Sequence, residues 1–359
     1  MSVFDSIKGH EQVVYGSDPV SGLKTIIAIH STALGPALGG TRFYPYQSEE
    51  EALTDVLRLS EGMTYKAAAA GLDLGGGKAV IIGDPRTDKS ERLFRAYGRV
   101  VESLGGRYIT AEDVGTTTAD LTHVRRETPW AVGVPEAEGG SGDPSPITAR
   151  GLYAAARATA YHRWGDADLT GRRVVVQGVG KVGSAFVQLL VEARAEVIVS
   201  DAYPAAVEEA VRTFDVKPAD PDEAVEVPCD ILSPCALGAV LNEDTIPRLQ
   251  CEVIVGSANN QLATREDGRR LADRGILYAP DFVVNAGGLI NVYDELLGYS
   301  RTRALHRVDR LYDATLGILE QADEEGITPV DAARELAEQR ITGISDLRRT
   351  YGHGDGYRR

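Results

Sequence analysis

Two lysines and one aspartate, Lys66, Lys78 and Asp113, lie beside glycines or at the end of a predicted strand, where side chains can act on a ligand. A lysine can hold a carboxylate as a point charge. A second lysine can act as a base near neutral pH when burial and a like charge favour its uncharged form. The three residues suit the oxidation of a small anionic substrate, although residues that only form solvated ion pairs would look the same.

A glycine motif within residues 172–201 has the spacing of a dinucleotide site. The apolar run at 174–176 predicts a buried strand, and a helix begins among the glycines that follow it in GVGKVG. Gly178 suits a tight turn, Gly180 lets the backbone approach a pyrophosphate, and Gly183 lets the helix pack on the strand. A glycine-rich turn in some other α/β protein is the alternative.

Asp201 directly follows the next predicted strand, which covers residues 196–200. An acid at this place can hydrogen-bond the hydroxyls of the adenosine ribose. Its charge would repel the 2′-phosphate of NADP, and no arginine follows closely. The sequence therefore favours NAD as the cofactor.

Three successive glycines, Gly75 to Gly77, precede Lys78 and a predicted strand. They cost conformational entropy, so we expect a reason for them beyond packing. A phosphate loop does not fit, because Ala79 and a strand follow where GxxxxGK[ST] requires Ser or Thr and a helix. The other explanation is that the glycines let the backbone come near a substrate held by Lys78.

The composition is that of an ordinary soluble protein, with 359 residues, 43% hydrophobic and 25% charged. The net charge of -15 disfavours nucleic acid and anionic membranes as partners. No secretion signal or apolar run of membrane-spanning length is evident, so we expect a cytoplasmic protein. Cys229, Cys235 and Cys251 lack CxxC spacing, which indicates free thiols rather than a metal site or a disulfide.

The predicted architecture is α/β with two domains and a cleft between them. Residues 1–144 form an N-terminal α/β substrate domain, which C-terminal helices at about 325–350 rejoin. Residues 145–324 form an NAD-binding Rossmann domain, and residues 350–359 form a disordered tail. The stretch EAEGGSGDPS at 136–145, rich in Gly, Ser and Pro, marks the linker.

Eight motifs, spread in order over residues 34–288, resemble those of the glutamate, leucine, phenylalanine and valine dehydrogenase family: LGPALGGTR, GMTYK, GLDLGGGK, TAEDVGT, GVGKVG, PCALGA, SANNQL and APDFVVNAGG. The resemblance implies NAD-dependent oxidative deamination of an L-amino acid to a 2-oxo acid, ammonium and NADH. It also implies a homo-oligomer.

The same resemblance assigns roles to individual residues. Lys66 would bind the substrate carboxylate, Lys78 would activate the water that attacks the imine, and Asp113 would move protons on the amino group. Further substrate positions are Leu38, Gly39, Gly40, Ala111, Asn259, Leu289 and Val292. The cofactor positions, from the glycine motif and the resemblance together, are Thr148, Gly178, Gly180, Lys181, Val182, Gly183, Asp201, Cys235, Ala236, Asn260 and Asn285.

Leu38 indicates the substrate class, because related glutamate dehydrogenases carry a lysine there. An apolar substrate is expected, with a side-chain pocket formed by Leu38, Ala111, Leu289 and Val292, although each could instead be ordinary core packing. Valine, leucine or isoleucine is the first expectation. The alternatives are an aromatic or unusual L-amino acid, and a non-enzymatic sensor of NAD or amino acids.

Two residues depart from the family pattern. Ala67 replaces an Asn that commonly follows the lysine, and Tyr293 replaces an Ala beside the pocket segment. Tyr293 would shrink the pocket, mark an interface or only fill space.

Overall fold

The computed structural model describes residues 3–7, 9–236 and 238–351. The chain divides into two compact units. The first comprises Met1–Asp143, Val292–Arg301 and Ala337–Arg359, and the second comprises Pro144–Asn291 and Thr302–Leu336. Of the expected disordered tail, residues 350 and 351 instead end the last helix, whereas 352–359 lie outside the described residues.

The division of the chain differs from the predicted boundaries in two respects. Val292–Arg301, expected within the Rossmann domain, groups with the first unit, since Glu295 accepts hydrogen bonds from Gly133 and Ser141. The chain also returns to the first unit at Ala337 and not at about 325.

The first unit is built on a five-stranded mixed sheet of order β1-β2-β4-β3-β5. Its strands are β1 (Gln12–Asp18), β2 (Leu23–Ser31), β3 (Ala37–Tyr44), β4 (Gly75–Ile82) and β5 (Tyr108–Glu112). Strand β3 runs parallel to both β4 and β5, whereas β2 is antiparallel to β1 and β4. The carboxyl end of β5 therefore lies at the same edge as that of β3.

Among the described residues, four helices precede the linker: α1 (Val3–Ser6), α2 (Glu49–Ala69), α3 (Glu91–Glu102) and α4 (Thr118–Arg125). The Ser48 side chain caps α2 by accepting a hydrogen bond from the Glu51 amide. Helix α2 packs on one face of the sheet against a cluster that includes Ile26 and Val80. Residues of α3 and α4 join the core on the other face. Both faces are thus covered, which explains the nearly continuous burial of β4.

The second unit is built on six parallel strands. They are β6 (Arg173–Gln177), β7 (Glu196–Ser200), β8 (Lys217–Pro218), β9 (Ile231–Pro234), β10 (Val253–Ile254) and β11 (Leu277–Tyr278). Their order, β8-β7-β6-β9-β10-β11, is the 3-2-1-4-5-6 order of a Rossmann sheet. The order in which strands are added to the sheet reverses between β6 and β9. The predicted α/β class is confirmed.

The remaining helices are α5 (Ser145–Trp164), α6 (Lys181–Glu192), α7 (Pro204–Phe214), α8 (Glu266–Asp273), α9 (Asp281–Val284), α10 (Gly287–Glu295), α11 (Arg301–Asp309), α12 (Leu311–Glu325) and α13 (Pro329–Tyr351). Short 3-10 turns occur at Glu136–Glu138, Ala224–Glu226 and Ile246–Arg248. Within the part of the chain that the structure describes, no helix combines the length and apolar character needed to cross a membrane.

Candidate active site

Lys78 and Asp113 form a close ion pair in the first unit, with 2.7 Å between Nζ and Oδ2. Lys78 lies within β4 and is 7% exposed, and Asp113 directly follows β5. A lysine buried to this degree needs a charged or hydrogen-bonding partner. Two residues that the sequence proposed for chemistry are therefore held at the distance of direct proton exchange.

Arg42 is a second cation on the same carboxylate, and sequence reasoning missed it. Its Nε lies 3.3 Å from Oδ2 of Asp113, and its Nη1 lies 2.9 Å from Oδ2 of Asp55. Tyr46 donates a 2.7 Å hydrogen bond to the same Asp55 oxygen. The available signal was a charged residue inside the mostly buried and otherwise uncharged strand β3.

The environment of Asp113 favours its ionised form. Burial alone would raise the pKa of this carboxyl, but the charges of Lys78 and Arg42 hold the pKa below its usual value. The Asp113 backbone amide also donates a 2.9 Å hydrogen bond to Oγ1 of Thr116, which fixes the turn after β5. Asp113 is thus arranged as a fixed carboxylate acceptor.

Gly39 and Gly40 lie on β3, the strand between β4 and β5, at places where a side chain would not fit. A Cβ atom on Gly40 would lie 2.8 Å from Cβ of Asp113, and one on Gly39 would overlap with the carbonyl oxygen of Gly77. The Gly39 carbonyl also accepts a 2.7 Å hydrogen bond from the buried hydroxyl of Tyr108. The glycine pair lets β4, which carries Lys78, and the end of β5, which leads to Asp113, each lie close to β3.

The three glycines before Lys78 have a packing reason, contrary to the expectation from sequence. A Cβ atom on Gly76 would overlap with Thr64 of α2 and lie 2.5 Å from the carbonyl oxygen of Ser60. One on Gly77 would lie 2.7 Å from the Tyr108 ring, and one on Gly75 would overlap with the backbone of Ser31. The run lets β4 pack closely against its neighbours.

Lys66 lies in the last turn of α2, two residues after Thr64, and is half-buried. The contact between Thr64 and Gly76 thus places the Lys66 backbone near the start of β4.

The four predicted pocket residues are all buried: Leu38 is 2%, Ala111 7%, Leu289 6% and Val292 8% exposed. Leu38, Ala111 and Val292 belong to the first unit, and Leu289 belongs to the second. Tyr293 is also buried, at 7% exposure. Ala67 is buried in α2.

The glycine loop of the second unit joins β6 to α6 as predicted. Gly178 has a φ of +105°, which favours glycine, and a Cβ atom there would lie 2.6 Å from the backbone nitrogen of Ala236. A Cβ atom on Gly183 would overlap with the carbonyl oxygen of Gly178. These two glycines serve the turn and the packing of the helix on the strand.

Gly180 differs from its two neighbours in the motif. It precedes α6 directly, is exposed, and no described atom lies within 4 Å of the point where its Cβ would stand. Its glycine identity is therefore not explained by packing within the described chain. Lys181 and Val182 follow in the first turn of α6.

Asp201 follows β7 and binds the backbone of this loop. Its Oδ2 accepts a 2.9 Å hydrogen bond from the Val179 amide, and its Oδ1 accepts one of 2.9 Å from the Tyr203 amide. These bonds orient a negative charge beside the glycine loop. Residues 202–211 contain no lysine or arginine.

The loops after β9 and β10 supply the other predicted cofactor residues. Cys235 donates its amide to the carbonyl of Gln177 at 2.7 Å, so Cys235 and Ala236 border the glycine loop. Asn285 donates a 2.9 Å hydrogen bond from Nδ2 to Oδ1 of Asn259, whereas Asn259 and Asn260 are exposed. The structure thus brings Asn259 and Asn285 together.

Thr148, in the first turn of α5, lies near the glycines of α10. Its hydroxyl donates a 2.9 Å hydrogen bond to the carbonyl of Pro144, and a Cβ atom on Gly288 would lie 3.1 Å from its Oγ1. Gln261, which the sequence did not single out, bonds the carbonyls of Gly256 and Ala258 through Nε2 at 2.6 and 3.0 Å. Gln261 thereby fixes the SANNQ loop from within.

These residues fit a dinucleotide. The open space beside Gly180 can accept a phosphate at the amino end of a helix. Oδ1 of Asn285 is buried and has no hydrogen-bond partner among the described residues, which leaves an acceptor for an amide N–H group.

The three cysteines are free, as predicted, and burial raises the pKa of Cys229 and of Cys251 to about 12. Over the described ranges, no cluster of His, Cys, Asp and Glu could hold a metal ion.

A Rossmann sheet with a fitting glycine loop in one unit, and a buried lysine and aspartate pair in the other, define an α/β enzyme that uses a dinucleotide. The chain belongs to the Glu/Leu/Phe/Val dehydrogenase family. The family model for the dimerisation domain matches residues 7–130, and the model for glutamate, leucine, phenylalanine and valine dehydrogenases matches 139–210 and 202–348.

Individual relatives match over nearly the whole chain. A leucine dehydrogenase of Thermoactinomyces intermedius is 51% identical and covers 98% of this chain and 96% of its own length. A valine dehydrogenase of Streptomyces coelicolor is 54% identical and covers 93% and 92%. The crystal structure of an L-tryptophan dehydrogenase from Nostoc punctiforme has a TM-score of 0.84 and 46% identity, and covers 96% and 99%. The predicted family and the class of activity, amino acid dehydrogenase, are confirmed.

Proposed function

We propose that the chain catalyses the reversible, NAD-dependent oxidative deamination of a hydrophobic L-amino acid to the 2-oxo acid, ammonium and NADH. The observation that carries this proposal is the 2.7 Å contact between Lys78 and Asp113. The matching leucine and valine dehydrogenases support it. In this proposal the first unit binds the substrate and the second binds the cofactor.

Lys66, Lys78 and Asp113 each have one task in the proposed reaction. Lys66 holds the substrate carboxylate as a point charge. The nicotinamide supplies the hydride acceptor when it is bound. Lys78 first passes its proton to Asp113 and, as the neutral amine, accepts a proton from the water whose oxygen bonds to the imine carbon. Asp113 then gives the proton it received to the nitrogen as the carbon–nitrogen bond breaks, and its carboxylate takes the hydroxyl proton as the carbonyl forms. Direct contact between Nζ of Lys78 and Oδ2 of Asp113 lets the two groups exchange that proton.

Arg42 supports this chemistry without taking part in proton transfer, because a guanidinium does not lose its proton in proteins. It stabilises the carboxylate form of Asp113.

NAD is the proposed cofactor because of the charge at Asp201. The glycine loop with Lys181 and Val182, and the residues Cys235 and Ala236, would hold its pyrophosphate and adenosine. Thr148, Asn260 and Asn285 would hold its carboxamide end, and Asn259 would lie between cofactor and substrate. A 2′-phosphate would face the Asp201 carboxylate with no lysine or arginine at 202–211 to neutralise it.

The proposed substrate has an aliphatic side chain. Leu38, Ala111, Leu289 and Val292 are uncharged and buried, which suits valine, leucine or isoleucine and disfavours glutamate. The likeness to a tryptophan dehydrogenase keeps an aromatic substrate as the second candidate. A homo-oligomer is also proposed, since the matching N-terminal family model describes a dimerisation domain. Light scattering of the purified protein tests the oligomer.

The test of function is NADH formation at 340 nm with valine, leucine, isoleucine, phenylalanine, tryptophan and glutamate, each with NAD and with NADP. Highest kcat/KM on an aliphatic amino acid with NAD supports the proposal. If kcat/KM is highest on an aromatic amino acid, the proposed reaction stands, but the side-chain pocket is larger than proposed. No turnover with any substrate, while NAD still binds, would favour a sensor.

A further inference from the structure

Glu295, at the end of α10, is a half-buried carboxylate that gathers hydrogen bonds from two separate places in the chain. The Gly133 amide donates to Oε1 and Oε2 at 3.0 and 3.1 Å. The Ser141 amide donates to Oε1 at 2.8 Å, and the Ser141 hydroxyl donates to the same oxygen. Glu295 thus closes a loop that runs from Gly133 to Ser141, which lies within the predicted linker.

Gly133 continues a segment that lies beside β5. The Thr110 amide donates to the Trp130 carbonyl, and the Val132 amide donates to the Thr110 carbonyl, both at 2.9 Å. A backbone bond to Gly133 therefore fixes Glu295 relative to the strand that carries Ala111 and leads to Asp113.

Val292 lies over this same point. Its Cγ1 is 3.9 Å from the place where a Cβ atom would stand on Gly133, and the Glu112 amide nitrogen is 4.0 Å from that place. Val292 precedes Glu295 by three residues in α10, so the two share one face of the helix. The bonds of Glu295 therefore hold Val292 against the end of β5.

We propose that Glu295 is a positioning residue that sets the width of the substrate's side-chain pocket, and thereby the choice among hydrophobic amino acids. This inference rests on the proposed function, in which Val292 and Ala111 are two walls of that pocket. Glu295 ties one wall to the other through Gly133.

Burying a carboxylate costs free energy unless hydrogen bonds or a nearby charge compensate for the lost water. Burial raises the pKa of Glu295 above its usual value, and the bonds from Ser141 and Gly133 and the charge of Arg125 oppose that rise. Charge-assisted bonds to a carboxylate are stronger and more directional than those to a neutral acceptor. They suit a residue that must fix a distance.

The test compares kcat/KM for valine, leucine and phenylalanine in the wild type, Glu295→Ala and Glu295→Gln. In Glu295→Ala the ratio of phenylalanine to valine should rise about tenfold or more, because a released Val292 leaves room for a larger side chain. Glu295→Gln keeps one acceptor oxygen and should shift the ratio less in the same direction. The KM for NAD should stay unchanged in both variants.

Glu138→Ala is the matched control, since Glu138 is exposed in the same loop, between Gly133 and Ser141. Its substrate ratios should equal those of the wild type. If kcat/KM for all three amino acids falls by one common factor in Glu295→Ala, the proposal is overturned, because that is the effect of a merely structural residue. If Glu295→Ala does not fold, Glu295→Gln decides: a shifted ratio supports the proposal and an unchanged one overturns it. Failure of the wild type on every amino acid would instead reject the proposed function.

Discussion

A Cβ atom on Gly40 would lie only 2.8 Å from Cβ of Asp113. The absence of a side chain on the middle strand lets Asp113 come close to β3, where Arg42 on that strand and Lys78 on β4 both reach its Oδ2. The two cations both fix the position of Oδ2 and stabilise the negative charge of the Asp113 carboxylate. Removing Lys78 should lower the rate of turnover, whereas removing Arg42 should shift the pH dependence of kcat/KM.

Lys78→Ala should lower kcat by about 10²- to 10⁴-fold, the usual contribution of a general base. NADH binding, followed by its fluorescence, should persist because the glycine loop belongs to the other unit. Lys89→Ala serves as the control, since Lys89 pairs with Asp120 at 2.5 Å in the same unit. Wild-type turnover in Lys78→Ala would exclude Lys78 from the mechanism.

Arg42→Gln should shift the acid limb of the pH profile of kcat/KM to higher pH. Burial raises the pKa of Asp113, whereas Lys78 and Arg42 lower it, so loss of the Arg42 charge must raise that pKa. The wild-type pairing stabilises the fold above the ordinary carboxyl pKa, and this stability is lost as the pH falls through the depressed one. Arg58→Gln is the control, because Arg58 reaches Asp55 at 3.5 Å and forms no ion pair with Asp113 in the described chain. An acid limb that does not move in folded Arg42→Gln would contradict this role.

Gly180→Ala should lower the affinity for NAD without lowering the stability of the fold. Its φ of -67° suits alanine, and no described atom would touch the new methyl group. The methyl group would fill the space needed for the phosphates, so the Kd of NAD should rise about tenfold or more, or ~1.4 kcal/mol. Gly183→Ala is the opposite case, because its methyl group would overlap with the Gly178 carbonyl and lower the Tm. Titration calorimetry and thermal denaturation separate the two effects, and unchanged NAD affinity in Gly180→Ala would show that the phosphates bind elsewhere.

Gly76→Ala should destabilise the protein by about 1–3 kcal/mol, as overpacking in a core does. The added methyl group would overlap with Thr64 and push α2, with Lys66, away from β4, so the KM for the amino acid should also rise. Gly62→Ala, within the same helix, meets no described atom within 4 Å and should stabilise by about 0.5–1 kcal/mol. Thermal unfolding and steady-state kinetics of both variants provide the comparison. Equal Tm values would mean that α2 can move without cost.

In Cys235→Ser, the two remaining thiols should react slowly with Ellman's reagent while the protein is folded. Burial raises the pKa of both Cys229 and Cys251 to about 12, so at pH 8 only about one thiol in 10⁴ is the reactive thiolate. Unfolding in urea should release two fast equivalents. Rapid reaction of the folded variant would mean that these thiols are accessible.

Local patterns allowed much of this architecture to be predicted, because strand, turn and helix of the glycine loop are encoded within a short stretch. Lys78 and Asp113 could be named from their motifs, but their 2.7 Å contact depends on the pairing of strands that are far apart in sequence. Arg42 and Glu295 were missed for the same reason. Their partners are 71 and up to 162 residues away, and no periodic signal marks such contacts. The glycines at 75–77 were given the wrong cause because sequence does not show what lies opposite a missing side chain.

The close approach of β4 to α2 also restricts how this protein can be re-engineered. Libraries that vary residues 75–77 should consist mainly of misfolded members, since every side chain larger than hydrogen meets a neighbour there. In the proposed function, variation at Leu38, Ala111 or Val292 changes the apolar wall of the substrate pocket and leaves Lys78 and Asp113 in place. We therefore expect directed evolution toward new amino acid substrates to succeed mainly through substitutions in that wall. One unchanged reaction centre can then serve a series of enzymes with different substrates.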